Sequence, residues 1–245
     1  MRTSYEQKIK IPPFECDMNG TIHLARMMGH MQEIANAQLT IINLSYEKLA
    51  QDNMAFLLSS VGIKVNSLPK MEQEIVMTTY PEPSQGAKFY RTVIVKDTNG
   101  SILLVAKTVW LLVDIKNRKI LRPNIFLDKY DYATQQCNLN LDYLVKYKKP
   151  KNYRLDDLGC YKVRYSDIDV NNHVNNAKYI EIVLDALPAE IVTTKKIDTV
   201  FVGFTLEAKL NDVIKLDVVQ IDENIHHIVG TKQEQDCFYT TIHFI

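Results

Sequence analysis

Asp169, Asn171 and His173 occupy alternate positions in Asp169-Val170-Asn171-Asn172-His173-Val174, directly ahead of a helical pattern. In an extended loop their side chains share one side, and the following helix offers free N–H groups at its N-terminus. Such an end suits an oxyanion, and a carboxylate, an amide and an imidazole beside it are equipped to hold a water and a carbonyl. Taken singly, Asp and Asn here are also ordinary capping and turn residues.

The pattern occurs twice. Asp17-Met18-Asn19-Gly20-Thr21-Ile22 precedes it by 152 residues, with Asp17 on Asp169, Asn19 on Asn171, Ile22 on Val174, Ala25 on Ala177 and Arg26 on Lys178. Thr21 meets His173, so the titratable group belongs to the second copy only. Lys10-Ile11 matches Lys162-Val163 at the same spacing, as a true internal repeat requires. After the helices an overlay of Gly62-Ile63-Lys64-Val65-Asn66 on Gly203-Phe204-Thr205-Leu206-Glu207 shortens the spacing to 141, which gives the first copy eleven extra residues.

The elements that must position these residues follow from periodicity. Apolar residues recur at threes and fours from Ile22 to about Leu39, and again from Val174 to Leu187 before Pro188. Strand patterns follow over 56–65, 74–80, 89–96 and 101–113 in the first copy, and over 200–209, 213–221, 226–231 and 237–244 in the second. Asp97-Thr98-Asn99-Gly100 predicts a hairpin turn, since Asn-Gly accepts positive φ. A long helix on an antiparallel sheet, used twice, is an α+β architecture. We expect modules at 1–125 and 151–245, joined by a linker over 126–150 with a short helix inside it.

Composition narrows the class. A chain of 245 residues with 46% hydrophobic content can bury a sizeable core. Twenty-nine acidic and 29 basic residues leave no net charge, which argues against nucleic-acid binding. The first residues lack a signal-like apolar run, and the most apolar stretch, 101–115, carries Lys107, so a soluble cytoplasmic protein is expected, with no membrane span. Cys16, Cys137, Cys160 and Cys237 form no C-x-x-C pair and are read as reduced.

With those elements in place, the fold resembles tandem hotdog modules. The run from Asp169 to Ile180 is similar to the D-x-N-x-H-V-N-N-x-x-Y-I signature of acyl-acyl carrier protein thioesterases, and the likeness covers nearly the whole chain. Plant members carry a chloroplast transit peptide before the first module; a first strand expected already at Tyr5 implies the bacterial type. The resemblance implies a catalytic Glu on the strand after the second helix, followed by Cys; Glu207 takes that place and Ala208 stands where the Cys would be. It therefore implies water-based hydrolysis rather than a cysteine nucleophile. Glu207, shaped by burial, activates the water; His173 and Asn171 orient water and carbonyl; Asp169 holds the network. Asn66, the residue laid over Glu207, cannot act as a base.

The implied substrate is a fatty acyl chain on acyl carrier protein in fatty acid biosynthesis, with no cofactor and no metal. Carrier proteins are acidic, so docking is expected on basic residues such as Lys146, Lys148, Lys149 and Lys151. The resemblance also implies that the first module shapes the acyl pocket, with Met27, Met28 and Met31 as flexible lining. His23, His30, Trp110 and the pair His226-His227 are read as packing residues. An acyl-CoA thioesterase, a hotdog dehydratase and a silent acyl-binding protein are the rival readings, and homodimerisation is left open.

Overall fold

The computed structural model describes residues 3–146, 150 and 155–245. In chain order the elements are β1 (Tyr5–Lys10), α1 (Leu24–Ile41), α2 (Tyr46–Gln51), β2 (Met54–Val65), β3 (Glu74–Gln85), β4 (Lys88–Asp97), β5 (Ile102–Asp114), β6 (Lys119–Ile120), α3 (Pro123–Leu127), β7 (Asp156–Lys162), α4 (Lys178–Ala186), α5 (Ala189–Thr194), β8 (Ile197–Phe204), β9 (Val213–Gln220), β10 (Ile225–Lys232) and β11 (Gln235–Phe244). One antiparallel sheet runs β1-β3-β4-β5-β2-β8-β11-β10-β9-β7, with β6 paired to β5. The order is palindromic: each copy contributes five strands in the same internal arrangement, and the two meet at β2–β8. This is the expected tandem hotdog architecture. The second helix ends before Pro188 as expected but begins only at Lys178, four residues later than its apolar pattern, and a separate short helix α5 follows the proline.

Corresponding hydrogen bonds fix how the copies superpose. Ile22 N–H donates to Pro69 O as Val174 N–H donates to Ala208 O, and Ile11 N–H donates to Gln73 O as Val163 N–H donates to Asp212 O. Glu72 and Asn211 are equivalent left-handed residues, at φ 63° and 70°. All these pairs place the strand halves 139 residues apart, not 141, so the first copy carries 13 extra residues between helix and strand. The glycine overlay chosen on sequence was two residues out, a shift that period-2 strands cannot reveal because it keeps every side chain on its face. Glu207 consequently lies over Leu68, not Asn66. At this spacing Gly62 pairs with its own equivalent, Phe201, across the β2–β8 seam. The same β-bulge recurs in both copies, skipping Ser59 in β2 and Asp198 in β8.

Helix α1 buries Leu24, Met27, Met28, Met31, Ile34 and Ala35 against the sheet, and α4 buries Tyr179, Ile180, Ile182 and Val183. Each large apolar side chain so buried contributes about 1.5–3 kcal/mol. The segment between the copies is not a free tether over its described length. Phe126 is fully buried against Phe56 and Phe89, and Leu144 packs so closely on β2 that a Cβ at Gly62 would stand 2.0 Å from its carbonyl oxygen. The hairpin at Asp97–Gly100 forms, but only Gly100 adopts positive φ; Asp97 Oδ1 accepts the Asn99 and Ser101 N–H groups instead. Among the described residues, no helix is long and apolar enough to cross a membrane.

Candidate active site

Both pre-helical loops are curled rather than extended. In the first, Asp17 Oδ1 accepts the N–H groups of Asn19 (2.9 Å) and Thr21 (3.0 Å), and Gly20 turns the chain at φ 72°. In the second, Asp169 Oδ1 accepts the Asn171 N–H (2.8 Å), and Asn172 takes the glycine's part at φ 63°. Isolated bridges, Cys16 to Ile22 and Ile168 to Val174, close the two loops. The alternation expected of Asp169, Asn171 and His173 therefore does not align them along one side. The helix N-terminus is also displaced from His173: α4 starts at Lys178, and Asn175 already accepts the Ala177 N–H with its side chain and the Lys178 N–H with its carbonyl, both at 2.9 Å. Its first N–H groups are thus occupied, which corrects the expectation of an oxyanion site there.

The copies part at one side chain in each loop. Thr21 Oγ1 donates back to Asp17 Oδ2 at 3.0 Å, so the first carboxylate is saturated from within its own loop. His173, at the corresponding place, points instead toward Glu207, with Nε2 3.6 Å from Oε1. That spacing brings the two side chains together but is too long for a formed hydrogen bond.

Three contacts deliver Glu207 to that position. Val174 N–H donates to Ala208 O (2.8 Å), the N–H groups of Thr205 and Leu206 both donate to Cys237 O, and Lys232 Nζ donates to Glu207 O (2.7 Å) and Asp212 Oδ2 (2.9 Å). Burial pushes the Asp212 carboxyl up, but the Lys209 N–H and the Lys232 ammonium outweigh it and hold its pKa below the usual carboxylate range. Glu207 itself lies beyond the end of β8 in irregular chain, its side chain 42% exposed, and not buried on a strand as expected. Ala208 is fully buried. Cys237 is buried beneath this loop and donates its thiol to Leu206 O; burial pushes its pKa up, the opposite of what a nucleophile needs.

Asn171 is held at both ends of its amide. The Tyr46 hydroxyl donates to Oδ1 (3.2 Å), and Nδ2 lies 3.4 Å from Asp169 Oδ2. An amide so fixed still has a second Nδ2 hydrogen to give. Tyr46 belongs to α2 of the first copy, so that copy reaches into the second copy's loop. Nothing in the sequence marked Tyr46, an exposed aromatic 125 positions from its partner. The backbone bond from Asp169 N–H to His173 O (3.0 Å) ties the Asp169–Asn171 pair to the His173–Glu207 pair.

The remaining candidates find structural partners. His30 binds Glu15 at 2.7 Å, whereas His23 is exposed at the start of α1. His226 packs edge-on against Phe244, and the Trp110 indole N–H donates to Thr108 Oγ1 (2.8 Å). Met28 and Met31 line a small cavity between α1 and the sheet, while Met27 is buried outside its lining. Lys146 is exposed; Lys148, Lys149 and Lys151 lie outside the described residues.

The family model described as acyl-ACP thioesterase N-terminal domain matches residues 2–125, and that of the C-terminal domain matches 147–243. A chloroplastic acyl-[acyl-carrier-protein] hydrolase of Cuphea viscosissima is 23% identical over 86% of this chain and 54% of its own length. For oleoyl-acyl carrier protein thioesterase 2 of Arabidopsis thaliana the figures are 22%, 93% and 65%. The chain thus spans about half to two thirds of the length of the curated relatives it matches. Two solved structures share the fold: an acyl-ACP thioesterase of Bacteroides thetaiotaomicron (TM-score 0.85, 23% identity, 99% of this chain and 98% of that one) and the 12:0-ACP thioesterase of Umbellularia californica (0.87, 15%, 100% and 98%).

Proposed function

Since the chain belongs to the acyl-ACP thioesterase family, we propose that it hydrolyses fatty acyl thioesters of acyl carrier protein, with the chemistry confined to the second copy. One observation carries the placement: His173 and Glu207 face each other at 3.6 Å where the first copy has Thr21 and Leu68. No other pair of equivalent positions in these loops exchanges neutral groups for an acid and an imidazole.

In the reading we favour, Glu207 accepts a proton from water and the hydroxide attacks the thioester carbon. The Asn171 amide, locked between Tyr46 and Asp169, donates to the carbonyl oxygen as it gains charge. His173 keeps the water on Glu207. Collapse breaks the carbon–sulfur bond, giving the free acid, and the pantetheine thiolate takes up the proton. Exposure of Glu207, with His173 half-buried beside it, suits a site that a long phosphopantetheine arm must reach from outside. An acidic carrier would meet exposed lysines such as Lys146, so added salt should weaken docking.

Thiol release from carrier-protein thioesters of graded chain length, compared with the same acyl groups on CoA, tests the reading. Hydrolysis of the carrier series that is lost in Glu207→Ala, with native circular dichroism, is expected. Turnover by that variant near the parent rate would overturn the assignment of Glu207. Failure to cleave any carrier thioester would overturn the function.

A further inference from the structure

Glu207 reaches His173 from a stretch outside the sheet. β8 ends at Phe204 and β9 begins at Val213, so residues 205–212 hold their side chains only as firmly as their own contacts allow. On either side of Glu207 those contacts are made by main chain: Thr205 and Leu206 donate to Cys237 O, and Ala208 O accepts the Val174 N–H. The Glu207 carbonyl is held by a side chain. Lys232, the last residue of β10, donates from Nζ to Glu207 O at 2.7 Å and to Asp212 Oδ2 at 2.9 Å, so one ammonium ties Glu207 to the far end of its loop. Asp212 is fixed in turn, because Oδ2 also accepts the Lys209 N–H at 2.7 Å. With its side chain 16% exposed, Lys232 makes these charge-assisted bonds largely out of water, where they are strongest.

The first copy keeps the loop closure without the ammonium. Lys70 N–H donates to Gln73 Oε1 (2.8 Å) as Lys209 N–H donates to Asp212 Oδ2. Beyond a bulge that both copies share, Lys96 pairs with Val76 and Ile102 as Thr231 pairs with Lys215 and Asp236, which lays Lys232 on Asp97. Asp97 turns its carboxylate into its own hairpin, where Oδ1 accepts the Asn99 and Ser101 N–H groups. Three positions therefore differ together: Leu68 against Glu207, Gln73 against Asp212 and Asp97 against Lys232. The loop closes on a neutral amide where it presents a leucine, and on an ion pair where it presents the acid.

We infer that Lys232 is a positioning residue for Glu207, and that its grip on the Glu207 carbonyl and on Asp212 sets the distance from the Glu207 carboxylate to His173. Lys232 acts here through the main chain and touches neither the water nor the acyl group. This role rests on the hydrolase reading above, in which Glu207 takes the proton, and adds the group that holds it in place.

The test measures kcat and KM on a carrier-protein thioester for Lys232→Met, Lys232→Arg, Glu207→Gln and the double variant Glu207→Gln/Lys232→Met, with hydrogen exchange over residues 205–212. Lys232→Met should lower kcat about tenfold to a hundredfold, the cost of a displacement of about an ångström, with KM within about twofold of the parent. Lys232→Arg keeps the donors and should recover most of that loss. In the Glu207→Gln background Lys232→Met should cost nothing further, since Lys232 acts only through the carboxylate. Exchange over 205–212 should quicken in Lys232→Met and keep the parent rate over β8 and α4. Lys232→Gln replaces Lys232→Met throughout if the latter does not fold. A kcat for Lys232→Met within about twofold of the parent overturns the inference, as does a loss that multiplies with that of Glu207→Gln or comes without faster exchange in the loop. If no thioester is cleaved, or Glu207→Gln keeps the parent rate, the reading of the site has failed, and exchange alone decides whether Lys232 holds the loop: quickening over 205–212 supports the grip, and an unchanged rate overturns it.

Discussion

At the loop before α1, Thr21 closes onto Asp17 and Leu68 packs against the core; at the loop before α4, His173 turns from Asp169 toward Glu207. Under the two helices the contrast reverses. Arg91 and Thr108 are buried in the first interior with hydrogen-bond partners, whereas the superposition lays them on His226, whose Nδ1 has no partner among the described residues, and on the fully buried Ile242. The copies have thus diverged at both places. A single hotdog module would have to carry both sets of polar groups at once, and those that are buried cost stability unless they are paired. Duplication relaxes that constraint, and the β2–β8 seam joins the halves into one sheet.

The sharpest way to break this contrast is to remove the acid. Glu207→Gln keeps the shape of the side chain and its main-chain contacts through Ala208 and Lys232 but cannot accept a proton. The expected loss is about 10²–10⁴-fold in kcat, with thermal stability unchanged because the side chain is exposed. Leu68→Ala, at the equivalent position, should do the reverse, lowering the melting temperature while kcat stays at the parent value. Thiol release and a melting curve on both variants read the pair. Equal losses of kcat would show that the copies share the chemistry.

Tyr46 offers a finer cut, since it is the point where the first copy touches the second copy's loop. Tyr46→Phe removes one hydrogen bond to Asn171 Oδ1, worth about 0.5–1.5 kcal/mol, so kcat should fall by a few-fold to about tenfold. Because Tyr46 is 65% exposed, the melting temperature should not move. A change in KM alone would instead make Tyr46 a docking residue.

These positions differ in how far the sequence revealed them. The doubled Asp/Asn loops were legible because an Asx turn leaves a local signature: a carboxylate, then a residue that tolerates positive φ three positions on. Helices and strands were legible from apolar periodicity, to within a few residues at most ends. The strand register between copies was not. A two-residue slip keeps every side chain on its own face, so only backbone hydrogen bonds could move Glu207 from Asn66 to Leu68. Tyr46 and the Gln38–Arg91 pairing were illegible for another reason. Their partners lie in other elements, and neither residue type at that spacing is unusual for a helix surface or a strand.

The smallest effect tests the apolar side of the comparison, at His226. Its Nδ1 is buried with no hydrogen-bond partner among the described residues, and burial, together with the Lys195 ammonium, holds its pKa below the usual histidine value against an opposing pull from Asp222. The unfolded chain therefore binds a proton at a pH where the folded chain does not. Stability should fall as pH drops from about 6.5 toward the folded pKa, by at most about 1.4 kcal/mol per pH unit for this one proton. Well above about 6.5 both states are neutral at this ring and it contributes no slope. Arg91, at the equivalent place in the first copy, stays charged throughout and adds none either. Melting temperatures of the parent and His226→Phe across that window should diverge on the acid side and run parallel above it. A parent slope that survives in His226→Phe would place the acid sensitivity elsewhere, and the second interior would then be apolar in function as well as in composition.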